Sequence, residues 1–197
     1  MSQRRPSRSF CITAVWMIVW LFAPANLHPV RAQEDSVVSA VKATYLYKFA
    51  PFIEWPTPTA EFPDGSFTIC VVGNDALGSM LDRAVSGQDI AGHPIVVRRY
   101  SGVTGNPGCA VMYVANGLAA AGLAAVRGMP VLTVTDGTAG PPGADSQGAG
   151  PHVRGIINFV ISEGHVRFEI DSSAAAANGL TVSSKLLSLA VRVLDGR

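Results

Sequence analysis

The sequence has few of the residues and motifs that catalysis requires. Only four histidines occur in 197 residues. His93, His152 and His165 lie at a strand start, in a loop and after a turn, not on a helix where a zinc site would place ligands four residues apart. No G-x-S-x-G nucleophile elbow, G-x-G-x-x-G loop or G-K-[ST] phosphate motif is present. We therefore expect no enzyme, and no metal or cofactor site.

The chain also lacks a strong positive charge and a hydrophobic run of membrane-spanning length. Three arginines precede an apolar stretch at 10–23, which is shorter than the about 20 residues of a spanning helix. Small residues on either side of position 31 predict a signal peptide over 1–32, cleaved after Ala32. Its removal leaves 11 basic and 14 acidic side chains, so the formal charge changes from +1 to −3. An exported, periplasmic domain over 33–197 follows, and a nucleic-acid binder is disfavoured.

Cysteine is scarce as well, and only Cys70 and Cys109 remain after the predicted cleavage. An even pair in an oxidising compartment favours a structural disulfide. A bridge here would close a loop of about 40 residues, worth roughly 3–4 kcal/mol of stability. Two free buried thiols and a redox-active pair remain as alternatives. A metal site is disfavoured because no histidine lies near either cysteine.

The elements that are present alternate between helices and short apolar strands. The hydrophobic pattern predicts helices over 36–50, 77–85 and 119–127, and strands over 67–72, 93–98, 109–114 and 129–135. This order predicts a single α/β domain with a mostly parallel central sheet flanked by helices. Residues 137–151 contain eight glycines or prolines and predict a flexible loop.

The stretch RGIINFVISEGHVRFEID predicts a C-terminal β-hairpin around the two-residue turn Glu163-Gly164. The predicted register pairs Ile157 with Ile170 and Ile161 with Val166, which gives a core face of apolar residues. Asn158, Arg167 and Glu169 fall on the other, polar face, which is either solvated or a contact surface. Two terminal helices are predicted next: an alanine-rich one ending at Asn178-Gly179, and a final one that includes Val193 and Leu194.

The window ATYLYKFAPFIEWP holds five of the fifteen aromatic residues. A helical spacing predicts one buried face, formed by Val38, Val41, Tyr45, Phe49 and Phe52, and Pro51 is expected to end the helix. Tyr47, Glu54 and Trp55 fall outside this face. They are candidates, with the polar face of the hairpin, for a surface that contacts a partner.

Three polar or flexible positions follow predicted strands at their carboxyl ends, where α/β folds place ligand-binding groups. These positions are Gly73, Asp75 and Asp136. They predict a crevice for a small ligand, so a periplasmic small-ligand receptor is the alternative function. Turn formation is the commoner explanation for an Asp-Gly pair and for Gly-Asn-Asp.

Several stretches together resemble the YfiR/HmsC-like family: VKATYLYKFAPFIEWP (41–56), FTICVVGNDALG (67–78), PVLTVTD (130–136) and the long run from 155 to 190. The resemblance implies a Rossmann-like fold without catalytic residues, and Cys70 and Cys109 at family-like cysteine positions. It also implies a repressor that binds the periplasmic sensor domain of an inner-membrane GGDEF diguanylate cyclase, which lowers cyclic-di-GMP and biofilm formation. An outer-membrane lipoprotein and a second copy of the chain are further partners that the resemblance implies.

Overall fold

The computed structural model describes residues 30–56, 65–103, 108–137 and 153–195. The predicted signal peptide up to residue 29, and the predicted loop from residue 138 onward, lie outside these residues. The described helices are α1 (Val30–Lys48), α2 (Ser79–Val85), α3 (Ala119–Ala125), α4 (Ser172–Ala177) and α5 (Ser184–Leu187). The strands are β1 (Ile53–Glu54), β2 (Phe67–Val72), β3 (Asp89–Ile90), β4 (His93–Tyr100), β5 (Val111–Val114), β6 (Leu132–Asp136), β7 (Ile157–Ser162), β8 (His165–Asp171), β9 (Thr181–Val182) and β10 (Arg192–Leu194).

The centre of the fold is an eight-stranded sheet with the order β10-β8-β7-β6-β5-β2-β4-β3. Five neighbouring strands of this sheet, β4, β2, β5, β6 and β7, run parallel to one another, as the sequence predicted. Strand β8 is antiparallel to β7, and β10 is parallel to β8. Chain order reverses at β2, which lies between β4 and β5. This position is the topological switch point, where doubly wound folds bind ligands.

The two faces of the sheet differ in chemistry. On one face, α1 and the C-terminal helices cover apolar side chains from β2, β5, β6, β7 and β8, and this layer is the main core. On the other face, a smaller apolar cluster forms beside α3 around Cys70, Met112 and Val114. The strands β6, β7 and β8 carry polar side chains on this second face, including Thr133, Thr135 and Asn158.

Helix α1 begins at Val30, six residues before the predicted start, and ends at Lys48. The α-helix thus ends two residues before the predicted end at 50, and Pro51 lies in a short 3-10 helix, Ala50–Phe52, that follows it. The buried face of α1 is centred on Leu46 and Phe49, and Phe49 stacks edge-on against Phe168 with ring centroids 5.0 Å apart. The prediction that Val41 belongs to this face is wrong, because Lys42 turns toward the sheet and Val41 is exposed. Among the described helices, none is long and apolar enough for a membrane span.

The predicted hairpin is confirmed residue by residue. Ile157 pairs with Ile170 and Ile161 with Val166. Glu163 and Gly164 both have positive φ angles, as a type I′ turn requires. The assignment of Ile161 to the core is wrong, since it lies near the tip of the hairpin, beyond the covering helices, and is 48% exposed.

The C-terminal segment departs most from its prediction. Asp171 caps α4 by accepting from the Ala174 amide, and the helix stops before Asn178, as expected. The final helix, however, ends at Leu187. Val193 and Leu194 lie in strand β10 instead, because the free edge of β8 offers backbone hydrogen bonds and the β-branched Val191 and Val193 favour a strand.

Candidate functional site

The predicted ligand crevice lies at the switch point, and side chains fill part of it. Gly73 follows β2 with φ of +93°, and a Cβ atom on it would lie 3.0 Å from the Cβ of Ala115 and 3.1 Å from a methyl of Leu118. Such short distances mean that Ala115 and Leu118, which lie between β5 and α3, pack directly against the Gly73 backbone. The space beside Gly73 is therefore occupied by protein.

Asp75, the second predicted crevice residue, is held by its neighbours. One carboxylate oxygen accepts the amides of Leu77 and Gly78 at 2.9 and 2.8 Å. The other accepts from Nε of Arg99 at 2.6 Å, and Arg99 also binds Asp82 at 2.9 Å. Partial burial pushes the pKa of Asp75 upward, but these hydrogen bonds outweigh it and hold the pKa below its usual value. Asp75 thus orders the turn that leads into α2.

Asp136, the third predicted crevice residue, belongs to a buried polar cluster that the sequence did not reveal. Its Oδ2 atom accepts from the ammonium of Lys42 at 2.7 Å and from the Tyr113 hydroxyl at 3.0 Å. Burial, followed by the negative charge of Asp136, raises the pKa of Tyr113 far above its usual value. The cluster joins α1 to β5 and β6 at the carboxyl end of the sheet. Its members lie up to 94 positions apart in sequence.

The polar face of the hairpin is also less open than its sequence pattern suggested. Asn158 and Glu169 are 7% and 8% exposed. The Thr135 hydroxyl donates to the Asn158 side chain at 2.9 Å, and Glu169 lies 3.6 Å from guanidinium nitrogens of both Arg154 and Arg192. These two positions are therefore not solvated, which was one of the two alternatives for this face, and a contact surface there stays a prediction. Arg167 is exposed.

The other predicted contact residues lie on different elements. Tyr47 is half-buried, with the Lys48 ammonium 5.0 Å from its ring centroid. Glu54 is exposed on β1. Trp55 packs edge-on against Phe67 at 5.9 Å between ring centroids. Tyr47 and Trp55 belong to the main core face, opposite the polar face of the hairpin, so the structure does not bring the predicted contact residues together. A partner surface at these residues stays a prediction.

The predicted disulfide is present. Cys70 on β2 is bonded to Cys109, which lies just before β5, and their Cα atoms are 5.8 Å apart. Both cysteines are buried beside Met112 and Val114. The bond therefore links β2, at the switch point, to the residues that lead into β5. Among the residues that the structure describes, no group of three His, Cys, Asp or Glu side chains could hold a metal ion.

One open groove is lined by residues from α2, β3 and β4. Its volume is about 470 Å³, and its lining includes Asp82, Val85, Asp89 and Ile95. It lies at the β3 edge of the sheet and shares no lining residue with the predicted crevice.

The chain matches a known protein family. The family described as YfiR/HmsC-like matches residues 39–191, which cover most of the chain and nearly all of the described domain. No curated protein matches the chain significantly.

Proposed function

Because this chain belongs to the YfiR/HmsC-like family, we propose that it is a periplasmic regulatory protein that represses an inner-membrane diguanylate cyclase by binding the cyclase's periplasmic sensor domain. The family match over residues 39–191 is the observation that carries the proposal. Repression of the cyclase lowers cyclic-di-GMP and, with it, biofilm formation. An outer-membrane lipoprotein that relieves the repression, and a homodimeric state, are further parts of the same proposal.

The arrangement of polar groups supports a binding role rather than catalysis. At the carboxyl end of the sheet, Asp75 is engaged by Arg99, and Asp136 by Lys42 and Tyr113. These contacts stabilise loops and helices, and they leave the carboxylates as acceptors of internal hydrogen bonds. A general acid or base would instead have to reach a substrate proton at hydrogen-bond distance.

Export to the periplasm is supported by two features. The N-terminal sequence fits a signal peptide, and the Cys70–Cys109 disulfide is of a kind that persists in oxidising compartments.

The proposal is tested by deleting the gene in a strain that keeps its cognate cyclase and measuring cyclic-di-GMP. We expect the level to rise, and biofilm to increase with it. The full chain supplied on a plasmid should restore the low level, while a chain without residues 1–32, which stays in the cytoplasm, should not. An unchanged cyclic-di-GMP level after deletion would contradict the proposal. A strain in which the cyclase is also deleted separates this effect from indirect ones.

The small-ligand receptor has less structural support at its predicted place, since Gly73 is packed and both aspartates are engaged. A thermal-shift screen with envelope metabolites distinguishes the two functions. A ligand that raises the melting temperature of the wild-type protein but not of an Asp75→Asn variant would favour the receptor.

A further inference from the structure

The outer edge of β10 is open. Among the described strands, β10 is the last one at its end of the sheet and pairs only with β8. The Val191 amide donates to the Phe168 carbonyl at 3.0 Å. The register pairs Arg192 with Glu169 and Val193 with Ile170, and the Asp171 amide points to β7, where it donates to the Ile156 carbonyl. Phe168 and Ile170 therefore face β10, so the amide and carbonyl of Arg192 point toward β8 and those of Val193 point away from it. This edge therefore presents backbone groups in the arrangement that a further strand would pair with.

Exposed apolar side chains lie on this edge and in the turn that leads into it. Val193 on β10 is 36% exposed, and Leu189 and Val191 before the strand are 57% and 49% exposed. Val193 pairs with Ile170, which places it on the same face as the main core. An open strand edge with a row of exposed apolar side chains favours pairing with another chain.

The opposite face of the same edge is basic. The Arg192 side chain is 61% exposed, and Arg154 and Arg167 lie beside it around Glu169. Glu169 is the one carboxylate among these three guanidinium groups, so the cluster keeps a net positive charge. The predicted exported chain carries 11 basic and 14 acidic side chains. A local excess of arginine on an acidic protein is complementary to an acidic partner segment.

A second copy of this chain fits the edge poorly. In a two-fold symmetric antiparallel pairing centred on Val193, Arg192 of one copy would lie diagonally across from Arg192 of the other, on the same face. A pairing centred on Arg192 would place the two arginines directly opposite each other. Like charges at these distances oppose pairing, so the charges favour a different chain.

We propose that the β10 edge binds an extended segment of another protein by strand addition, with apolar residues of that segment against Val191 and Val193 and acidic residues toward Arg192. Backbone hydrogen bonds to Val193 supply the pairing, and the two faces of the edge select the sequence. This inference goes beyond the proposed function, because it describes a mode of recognition that holds whether or not the partner is a cyclase.

The test uses the chain over residues 33–197 and a fluorescent eight-residue peptide that alternates valine with glutamate. One control peptide replaces glutamate by lysine, and another has the same composition with all valines before all glutamates. We expect the alternating acidic peptide to bind at least roughly tenfold more tightly than either control, by fluorescence anisotropy. Binding should also slow hydrogen exchange of the Val193 amide.

Variants separate the backbone from the charge. Arg192→Ala removes the charge alone, whereas Val193→Pro removes the outward amide, and proline is tolerated on an edge strand where the amide faces solvent. We expect Val193→Pro to bind the acidic peptide about three- to tenfold more weakly than Val193→Ala, which shortens the same side chain but keeps the amide. Arg127→Ala, at an exposed arginine after α3, should leave binding unchanged. If the proline variant does not fold, Val191→Glu tests the same edge and should abolish binding.

Three outcomes would overturn the inference. The first is failure of the alternating peptide to bind, and the second is binding that leaves the β10 amides unaffected. The third is a dimer in sedimentation that Val193→Pro dissociates, which would assign the edge to a second copy. Each of these leaves the cyclase proposal standing, because that proposal is tested by cyclic-di-GMP levels.

Discussion

Lys42 and Asp136 are both buried, and a charge left alone at such a position is costly. Their 2.7 Å contact offsets the loss of hydration, with Tyr113 as a further donor to the carboxylate. We predict that Lys42→Met lowers the free energy of unfolding by about 3–5 kcal/mol, because Asp136 would lose the opposite charge in its ion pair. Urea unfolding followed by circular dichroism measures this change.

A double variant and a matched control sharpen the prediction. Replacing the pair together, as Lys42→Met with Asp136→Leu, should cost less than Lys42→Met alone, since no buried charge is left behind. Lys48→Met changes an exposed lysine of the same helix and should alter stability by less than about 1 kcal/mol. Equal losses for Lys42→Met and Lys48→Met would show that the buried pair is not important for stability.

Asp75 predicts a dependence of stability on pH. Its pKa is lower in the folded protein than in the unfolded chain: burial raises the pKa, but the hydrogen bonds from Arg99 and from the amides of Gly78 and Leu77, just before α2, lower it by more. The stabilisation is therefore present above about pH 4, the unfolded pKa, and is lost as the pH falls toward the lower folded pKa. Asp75→Asn should flatten the decline in unfolding free energy as the pH falls below about 4.

The contribution of Arg99 is separated by Arg99→Met. This variant should flatten the same decline only partly, because the amides of Leu77 and Gly78 still bind the carboxylate. Urea titrations at a series of pH values give the slopes. A slope in Asp75→Asn that equals that of the wild-type protein would contradict the assignment.

Helix α3 approaches β5 so closely that one of its positions requires glycine. A Cβ atom at Gly122 would lie 2.8 Å and 3.1 Å from the two methyl groups of Val114. Gly122→Ala should therefore destabilise the protein, although alanine is the better helix former by about 1 kcal/mol. In a Val114→Ala background the clash is gone, and the same substitution should become stabilising by up to that amount.

Helix propensity alone would give Gly122→Ala a stability change of the same sign in both backgrounds. Ala121→Gly, at an exposed position of the same helix, is the matched control and should lose about 1 kcal/mol in both backgrounds. Thermal unfolding of the four proteins in each cycle measures the coupling. If Gly122→Ala stabilises the protein that retains Val114, the close packing of α3 on β5 is not what selects glycine.

Elements that depend on residues close to one another in the sequence could be predicted, whereas elements that depend on residues far apart in the sequence could not. The hairpin register follows from the Glu163-Gly164 turn and the alternation around it, so it was predicted pair by pair. Strand β10 forms because this segment pairs with β8, and the Val191 amide, just before the strand, donates to the Phe168 carbonyl. The sequence of the segment alone does not encode this pairing. Read alone, the run of leucine, alanine and valine at the C-terminus fits a helix equally well.

For the molecule as a whole, the apolar strand runs predicted a mostly parallel sheet, because strands covered on both faces show continuous rather than alternating hydrophobicity. The candidate site was less predictable. Asp75 and Asp136 lie at strand ends, as expected, but Arg99 and Lys42 come from elements that only the folded chain brings to them. The sequence pattern indicates which carboxylates lie at strand ends. The side chains that contact them in the folded chain determine whether they are available to bind a ligand.

The disulfide constrains the whole domain because it joins neighbouring strands across a loop of 39 positions. Its loss enlarges the unfolded ensemble, so the double variant Cys70→Ala with Cys109→Ala should lose about 3–4 kcal/mol of stability. For a chain of this size, that loss lowers the melting temperature by roughly 10 °C. Calorimetry measures both quantities, and a reductant should shift the wild-type protein but not the variant.

Burial also predicts how the bond responds to reductant. Cys70 and Cys109 are 0% and 6% exposed, so an attacking thiolate reaches the sulfur atoms only when the strands around them open. We expect dithiothreitol to reduce the bond slowly in buffer and much faster near the midpoint of urea unfolding. Trapping of free thiols followed by mass spectrometry gives both rates. Equally fast reduction in buffer would mean that this part of the sheet opens readily, and the bond would then be accessible to redox control in the folded protein.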